Sequence, residues 1–252
     1  KGTSTLLKKN ATVPMGCSPE YLSVILTIIQ QWRIDVFWPA SDDEVQLVSR
    51  HRKKFHALGC RLLIGSEEVI TLLEDKCSVY DRLKKANIYV PPFTLGTNEV
   101  DVWKAMIDFG YPRSTVVVKP STGRGNRGLN VFLGQQSAPD WLGNGKRERR
   151  HFPNAISAPD QLRGLIEDRT IIMPALSQPA YDVDVLGRKS DAAQVVIRKR
   201  QNPSGIPFAG NVIILAPAIL DYCCAVADVL NLDSLFDMDL LTGPKGVCLL
   251  EI

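Results

Sequence analysis

Apolar and polar residues change rhythm several times along the chain, and each change marks an element. Residues 34–38 (IDVFW) form a short apolar run closed by Pro39, the pattern of a strand. Ser41, Asp42, Asp43 and Glu44 then supply a helix cap and an acidic first turn. Val45, Val48, Phe55 and Leu58 recur near helical spacing, with Arg50, Arg52, Lys53 and Lys54 mostly on the wet face, and Gly59 stops the run. Residues 61–64 read as the next strand and 66–73 as the next helix. Strand and helix in alternation predict parallel strands with helical crossovers, an α/β arrangement.

A helix over 76–86 ends at Asn87, and Pro91-Pro92 forces an extended chain beyond it. A further helix over 98–109 leads through Gly110, Tyr111 and Pro112 into the β-branched run Val116-Val117-Val118-Lys119. From 135 to 159 the chain turns polar, with the basic run Lys146, Arg147, Glu148, Arg149, Arg150, and reads as a disordered surface insertion. Beyond it the pattern gives a helix over 160–168, strands over 171–173, 181–186, 194–198 and 212–215, and a helix over 217–230. Two last strands, 235–241 and 246–252, are joined by the turn Thr242-Gly243-Pro244-Lys245. The second half is thus α+β.

Composition narrows the class without naming a partner. Of 252 residues, 45% are hydrophobic and 23% charged, as in an ordinary globular protein. The net charge of +3 is too small to argue for nucleic-acid binding. No run approaches the roughly 20 apolar residues that span a bilayer, so no membrane partner is expected. The six cysteines show no CxxC pair, which fits a reducing cytoplasm. The chain opens on Lys1 and its first ten residues lack the apolar core of a secretory signal, so it reads as a fragment of something longer.

Gly123-Arg124-Gly125-Asn126-Arg127-Gly128 matches the G-x-G-x-x-G pattern of dinucleotide sites. That chemistry needs a helix directly after the loop, whereas Leu129-Asn130-Val131-Phe132-Leu133 reads as a strand followed by Gly134. What remains is a strand ending in Lys119, a loop opened by Ser121 and Thr122, and a second strand. Glycines let backbone N–H groups approach phosphate oxygens, and an inward lysine adds a charge that phosphates neutralise. The hairpin is therefore read as a flap over phosphate groups; the nucleotide they belong to, ATP, is implied by the resemblance that follows.

Asp75-Lys76, Pro91-Pro92, Gly110-Tyr111-Pro112, Val118-Lys119-Pro120, the glycine loop, Ile172-Met173-Pro174 and Leu249-Leu250-Glu251-Ile252 occur in an order that resembles the ATP-grasp superfamily, and within it the carbamoyl-phosphate-synthase-like branch. The resemblance implies an ATP-grasp fold preceded by a small Rossmann-like (pre-ATP-grasp) α/β domain. It divides the chain into 1–75 as that first domain, 76–115 as linker and first ATP-grasp helices, 116–174 as the small lid subdomain, and 175–252 as a C-terminally truncated large subdomain. Lys76 and Lys119 would contact the nucleotide from separate subdomains, with Ser121, Thr122, Gly123, Gly125 and Gly128 over the phosphates. Met173, Pro174, Ala175 and Leu176 would form the hinge that reads adenine. The family's ribose-holding glutamate falls on Ala180, so Asp182, one pleat along, would have to stand in.

Mg²⁺, with Mn²⁺ as an alternative, would sit on Asp237 and Glu251, which the final hairpin lets approach one point; Asp239 is the second choice. Arg198 or Arg200 would be the catalytic cation that stabilises an acyl phosphate. The asparagine and arginine that follow the glutamate in the family lie beyond Ile252. The implied activity is an ATP-dependent ligase joining a small-molecule carboxylate to an amine or ammonia, with a homo-oligomer left open. The alternative is a nucleotide-binding module that has lost catalysis.

Overall fold

The computed structural model describes residues 8–123, 127–136, 150–152, 155–188, 191–201 and 210–252. Gly125 and most of the expected insertion lie outside the described residues, as does the polar loop after Gln201. The chain divides into two units, Lys1–Ile70 and Thr71–Ile252. In the first, β1 (Val36–Phe37) and β2 (Arg61–Leu62) pair in parallel, as the strand-helix alternation predicts. Helices α1 (Tyr21–Trp32), α2 (Asp42–Arg50) and α3 (Arg52–Ala57) bury Tyr21, Ile25, Ile29, Val48 and Phe55 against Cys60, Leu62 and Ile64. Ser41 and Glu44 close a capping box on α2. The single helix expected up to Gly59 is broken at His51, whose backbone leaves the α region (φ −109°, ψ 16°). Helix α4 (Glu67–Leu73) follows.

The second unit holds two five-stranded sheets. The first has the order β3-β7-β4-β5-β6, from β3 (Thr94–Gly96), β4 (Val116–Pro120), β5 (Asn130–Phe132), β6 (Arg150–Phe152) and β7 (Thr170–Pro174). All its pairs are antiparallel except β5 with β6. Strands β3 and β6 are additions to the sequence reading: the extended chain after Pro91-Pro92 pairs with β7, and Arg150 to Phe152, expected within the insertion, pairs with β5. Helix α5 is Lys76–Lys85, and α6 (Glu99–Asp108), capped by the Asn98 side chain, covers this sheet. Val102, Ala105 and Met106 pack on Val116, Val118, Phe132 and Ile172. The helix expected over 160–168 is only a 3₁₀ turn, Pro159–Leu162, since Gly164 takes φ +73° soon after.

The second sheet is antiparallel throughout, with the order β10-β9-β8-β11-β12. Its strands are β8 (Ser177–Arg188), β9 (Asp191–Arg200), β10 (Asn211–Ile214), β11 (Leu235–Gly243) and β12 (Gly246–Glu251). One face is apolar, with Val183, Val185, Ile197, Met238 and Leu240 buried on the side that α7 (Pro217–Leu230) covers with Ile219, Cys223, Val226 and Leu230. Alternation along the strands puts Asp182, Asp184, Arg198, Arg200, Asp237 and Asp239 on the other face. Among the described residues, no helix is long and apolar enough to cross a membrane.

Candidate active site

The glycine hairpin is built as its sequence predicts. Strands β4 and β5 pair antiparallel with Val118 opposite Asn130, and residues 130–132 are strand rather than helix, which removes the dinucleotide reading of the glycine motif. Asn130, buried, donates from Nδ2 to the carbonyls of Gly128 (3.0 Å) and Leu165 (3.1 Å), closing the base of the loop. Gly123 and Gly128 have φ of +102° and +70°, and a Cβ on Gly128 would lie 2.8 Å from Pro120 Cγ. Only glycine fits that second position without moving the proline ring.

Along β4, Val116 and Val118 face the α6 core, so Val117 and Lys119 face the other way. The register sets Val117 opposite Met173 and Val131, and Lys119 opposite Ile171. An apolar floor thus continues into a single cation. Lys119 is 8% exposed and its ammonium has no hydrogen-bond or ion-pair partner among the described residues, only the Tyr80 ring 5.9 Å from its nitrogen. Its pKa is lowered to about 8, chiefly by burial, with Glu251 opposing, Lys76 adding its like charge and Asp239 opposing.

Lys76 enters from the first turn of α5. The Asp75 side chain caps that helix by accepting from Cys77 N–H (3.0 Å), and the Asp75 backbone bridges to Thr122. The Lys76 N–H donates to Ser121 O (2.9 Å), and Ser121 N–H donates to Arg169 O (2.8 Å). Arg169 in turn pairs with the Asp75 carboxylate at 2.9 Å. These bonds tie the entry of the glycine loop to α5. The Lys76 ammonium donates to Gly123 O (2.7 Å) and stands 3.7 Å from Glu251 Oε2.

The expected hinge lies where the chain leaves one sheet for the other. Met173 and Pro174 end β7, Ala175 N–H donates to Thr115 O (3.1 Å), and buried Leu176 precedes β8. Ala180 is buried and brings no polar group. Asp182, 2% exposed, accepts from Arg200 Nε (2.9 Å) and Asn211 Nδ2 (2.9 Å), and its carboxylate is thereby tied within the sheet.

Acids and arginines interleave across the open face of the second sheet. Arg200 also meets Asp239 at 2.5 Å, while Arg198 meets Asp184 at 3.0 Å and Asp237 at 3.2 Å. Carboxylate oxygens of Asp182, Asp237 and Asp239 lie within 4.8 Å of one another. Burial raises the Asp239 carboxyl well above the ordinary carboxylate range, with Arg200 opposing and Asp182 and Glu251 adding their like charge. Strand register puts Asp239, the second choice from the sequence, directly opposite Glu251, and Asp237 opposite Asp184. The donors are all hard carboxylate oxygens, the set that suits Mg²⁺ with phosphate oxygens completing the shell.

The sequence reading overlooked Tyr80 and Asp184. Tyr80 lies four residues after Lys76, on the same helix face, and that spacing was its only signal.

No family model and no curated protein matches the sequence. Solved structures do match the fold. Biotin carboxylase from Campylobacter jejuni in a β,γ-ATP complex aligns with a TM-score of 0.62 and 14% identity, over 93% of this chain and 52% of that one. D-alanine–D-alanine ligase from Bacillus anthracis complexed with ATP gives 0.60 and 13%, over 90% and 70%. N5-carboxyaminoimidazole ribonucleotide synthetase in its ADP complex gives 0.56 and 17%, over 90% and 55%. The chain therefore spans about half the length of the carboxylase and the synthetase. The paired sheets, the glycine hairpin and these alignments agree: the chain has the ATP-grasp fold.

Proposed function

We propose that the second unit binds Mg-ATP between its two sheets and uses it to activate a carboxylate as an acyl phosphate, which an amine or ammonia then displaces. The observation that carries this reading is Lys119, a nearly buried ammonium with no hydrogen-bond or ion-pair partner among the described residues. A buried charge left in that state is costly, and an anion arriving between the sheets would relieve it. Phosphate oxygens would be met by Lys119, by Lys76 and by backbone at Gly123 and Gly128. Adenine would lie along Val117, Met173 and Leu176, beside the hinge.

Asp239 and Glu251, opposite each other across the final hairpin, would hold Mg²⁺, with Asp237 one pleat further along. Bound there, the ion would neutralise charge on the phosphates during transfer. Arg198 and Arg200 would turn toward the acyl phosphate, leaving the aspartates that engage them in the free protein. The ordered motifs from Asp75-Lys76 to Leu249-Leu250-Glu251 support placing the chain near the carbamoyl-phosphate-synthase-like branch.

A second reading, a nucleotide-binding module without turnover, draws on Ala180 and on the pairing of both arginines with aspartates. Release of ADP from Mg-ATP, measured across a panel of carboxylates with and without amines, separates the two. The ligase reading expects release that requires both substrates. Tight ATP binding with no ADP formed on any pair would leave the binding module.

A further inference from the structure

We infer that Tyr80 is a positioning residue that sets the aim of Glu251 and at the same time floors the seat of Lys119. The inference rests on the Mg-ATP site proposed above and assigns it a residue outside the site's contacts with nucleotide or metal. Its basis is a bulge in β12. From Gly243 opposite Gly246 to Leu240 opposite Leu249 the final hairpin runs in one register, but Asp239 lies opposite Glu251, so Leu250 is an extra residue without a partner in the ladder.

The bulge decides which way Glu251 points. In the uninterrupted register Glu251 would lie opposite Met238, which is fully buried on the face that α7 covers. A shift of one residue sends a strand's side chains to the opposite face. With Leu250 set aside, Glu251 joins Asp239 on the charged face and comes within 3.7 Å of the Lys76 ammonium.

Tyr80 holds the extra residue. Its hydroxyl donates to Leu250 O at 2.8 Å, and the side chain is buried (1% exposed) against the Phe93 ring, with centroids 5.2 Å apart. The Lys119 ammonium lies over the same ring, 5.9 Å from its centroid. Lys76 and Tyr80 stand one helical turn apart on α5, so a single helix face touches the glycine loop, Glu251 and the bulge. On the regular side of the bulge, the Leu249 N–H, still in register opposite Leu240, donates to the Tyr222 hydroxyl (2.9 Å).

The test separates metal from nucleotide. Affinity for the ATP analogue AMP-PNP is measured by calorimetry with excess Mg²⁺ and again in EDTA, for the wild-type chain, Tyr80→Phe and Tyr222→Phe. Tyr80→Phe keeps the ring under Lys119 and loses only the bond to Leu250, so its affinity in EDTA should stay within about twofold of wild type while the gain from Mg²⁺ falls about three- to tenfold. Tyr222→Phe should lower the thermal midpoint and keep the wild-type gain from Mg²⁺. A wild-type gain in Tyr80→Phe, or an equal loss in Tyr222→Phe, overturns the role of Tyr80 and leaves the nucleotide site standing. Absence of AMP-PNP binding in the wild-type chain overturns the site itself, and the inference with it.

Discussion

Replacing Lys119 by Met should make the protein more stable at neutral pH while weakening its hold on nucleotide. The lysine is 8% exposed, and burial lowers its pKa from the ordinary 10.5 to about 8. That difference corresponds to about 3 kcal/mol of penalty for keeping the amine charged in the folded state. Methionine has nearly the same length and no charge to desolvate, so most of that penalty should return as stability. The pH dependence gives the sign. Between pH 8 and 10.5 the unfolded chain holds the Lys119 proton and the folded chain has lost it, so the wild type gains stability relative to the variant as pH rises. Urea unfolding of both proteins at pH 7, 9 and 10.5 measures this, because the difference between them cancels the tyrosines and cysteines that titrate in the same range. The variant should be more stable by about 2–3 kcal/mol at pH 7, with the gap closing by pH 10.5. A variant less stable than wild type at pH 7, or a gap that does not change with pH, would refute the claim that the buried charge of Lys119 is held at a net cost.

Four further outcomes follow from the same geometry. Affinity for AMP-PNP should be level below pH 8 and fall by up to about tenfold per pH unit above it, since bound phosphate stabilises the protonated form of Lys119 and the free protein loses that proton near pH 8; a profile level to pH 10 would contradict this. Gly128→Ala, forced to φ +70° against Pro120, should cost about 1–3 kcal/mol in stability, read by urea unfolding, and weaken nucleotide binding with it. Glu251→Gln should abolish most of the gain in nucleotide affinity that Mg²⁺ brings and leave affinity in EDTA unchanged or improved, as measured by calorimetry. By the same assay Asp239→Asn should reduce the Mg²⁺ gain more than Asp237→Asn does, because Asp239 lies opposite Glu251; the reverse order would favour Asp237 as the metal ligand.

The parts of the site that could be read from the sequence are those set by neighbours in the chain. The helix that opens at Lys76 follows from apolar spacing, Lys119 ends a β-branched run, and glycines allow a close approach of the loop; each signal is local, and the structure has the corresponding helix and strand, with Gly123 and Gly128 at positive φ. The break at His51 and the short 3₁₀ turn at Pro159–Leu162 were not legible, because the apolar spacing runs on through both and only backbone geometry interrupts it. Strands β3 and β6 were missed for a different reason. Each is three residues long and exists because β7 or β5 offers a free edge, which no pattern within the segment records. The bulge at Leu250 is the clearest case: parity along 246–251 says nothing of which residue the ladder skips, and that choice decides the face of Glu251. Likewise, the pairing of Arg198 with Asp184 and Asp237, and of Arg200 with Asp182 and Asp239, joins the consecutive strands β8 and β9 to β11, which lies beyond α7 in the chain.

A nucleotide whose phosphates lie between Lys119 and the charged face of the second sheet is what the proposed ligase chemistry requires first. Calorimetric titration of the chain with AMP-PNP and with AMP, each in excess Mg²⁺, tests this most directly. The triphosphate analogue should saturate one site per chain, and AMP, lacking the phosphates that Lys119 and the glycine loop would hold, should bind at least about tenfold more weakly. Equal affinity for the two, or no binding of AMP-PNP, would contradict the account.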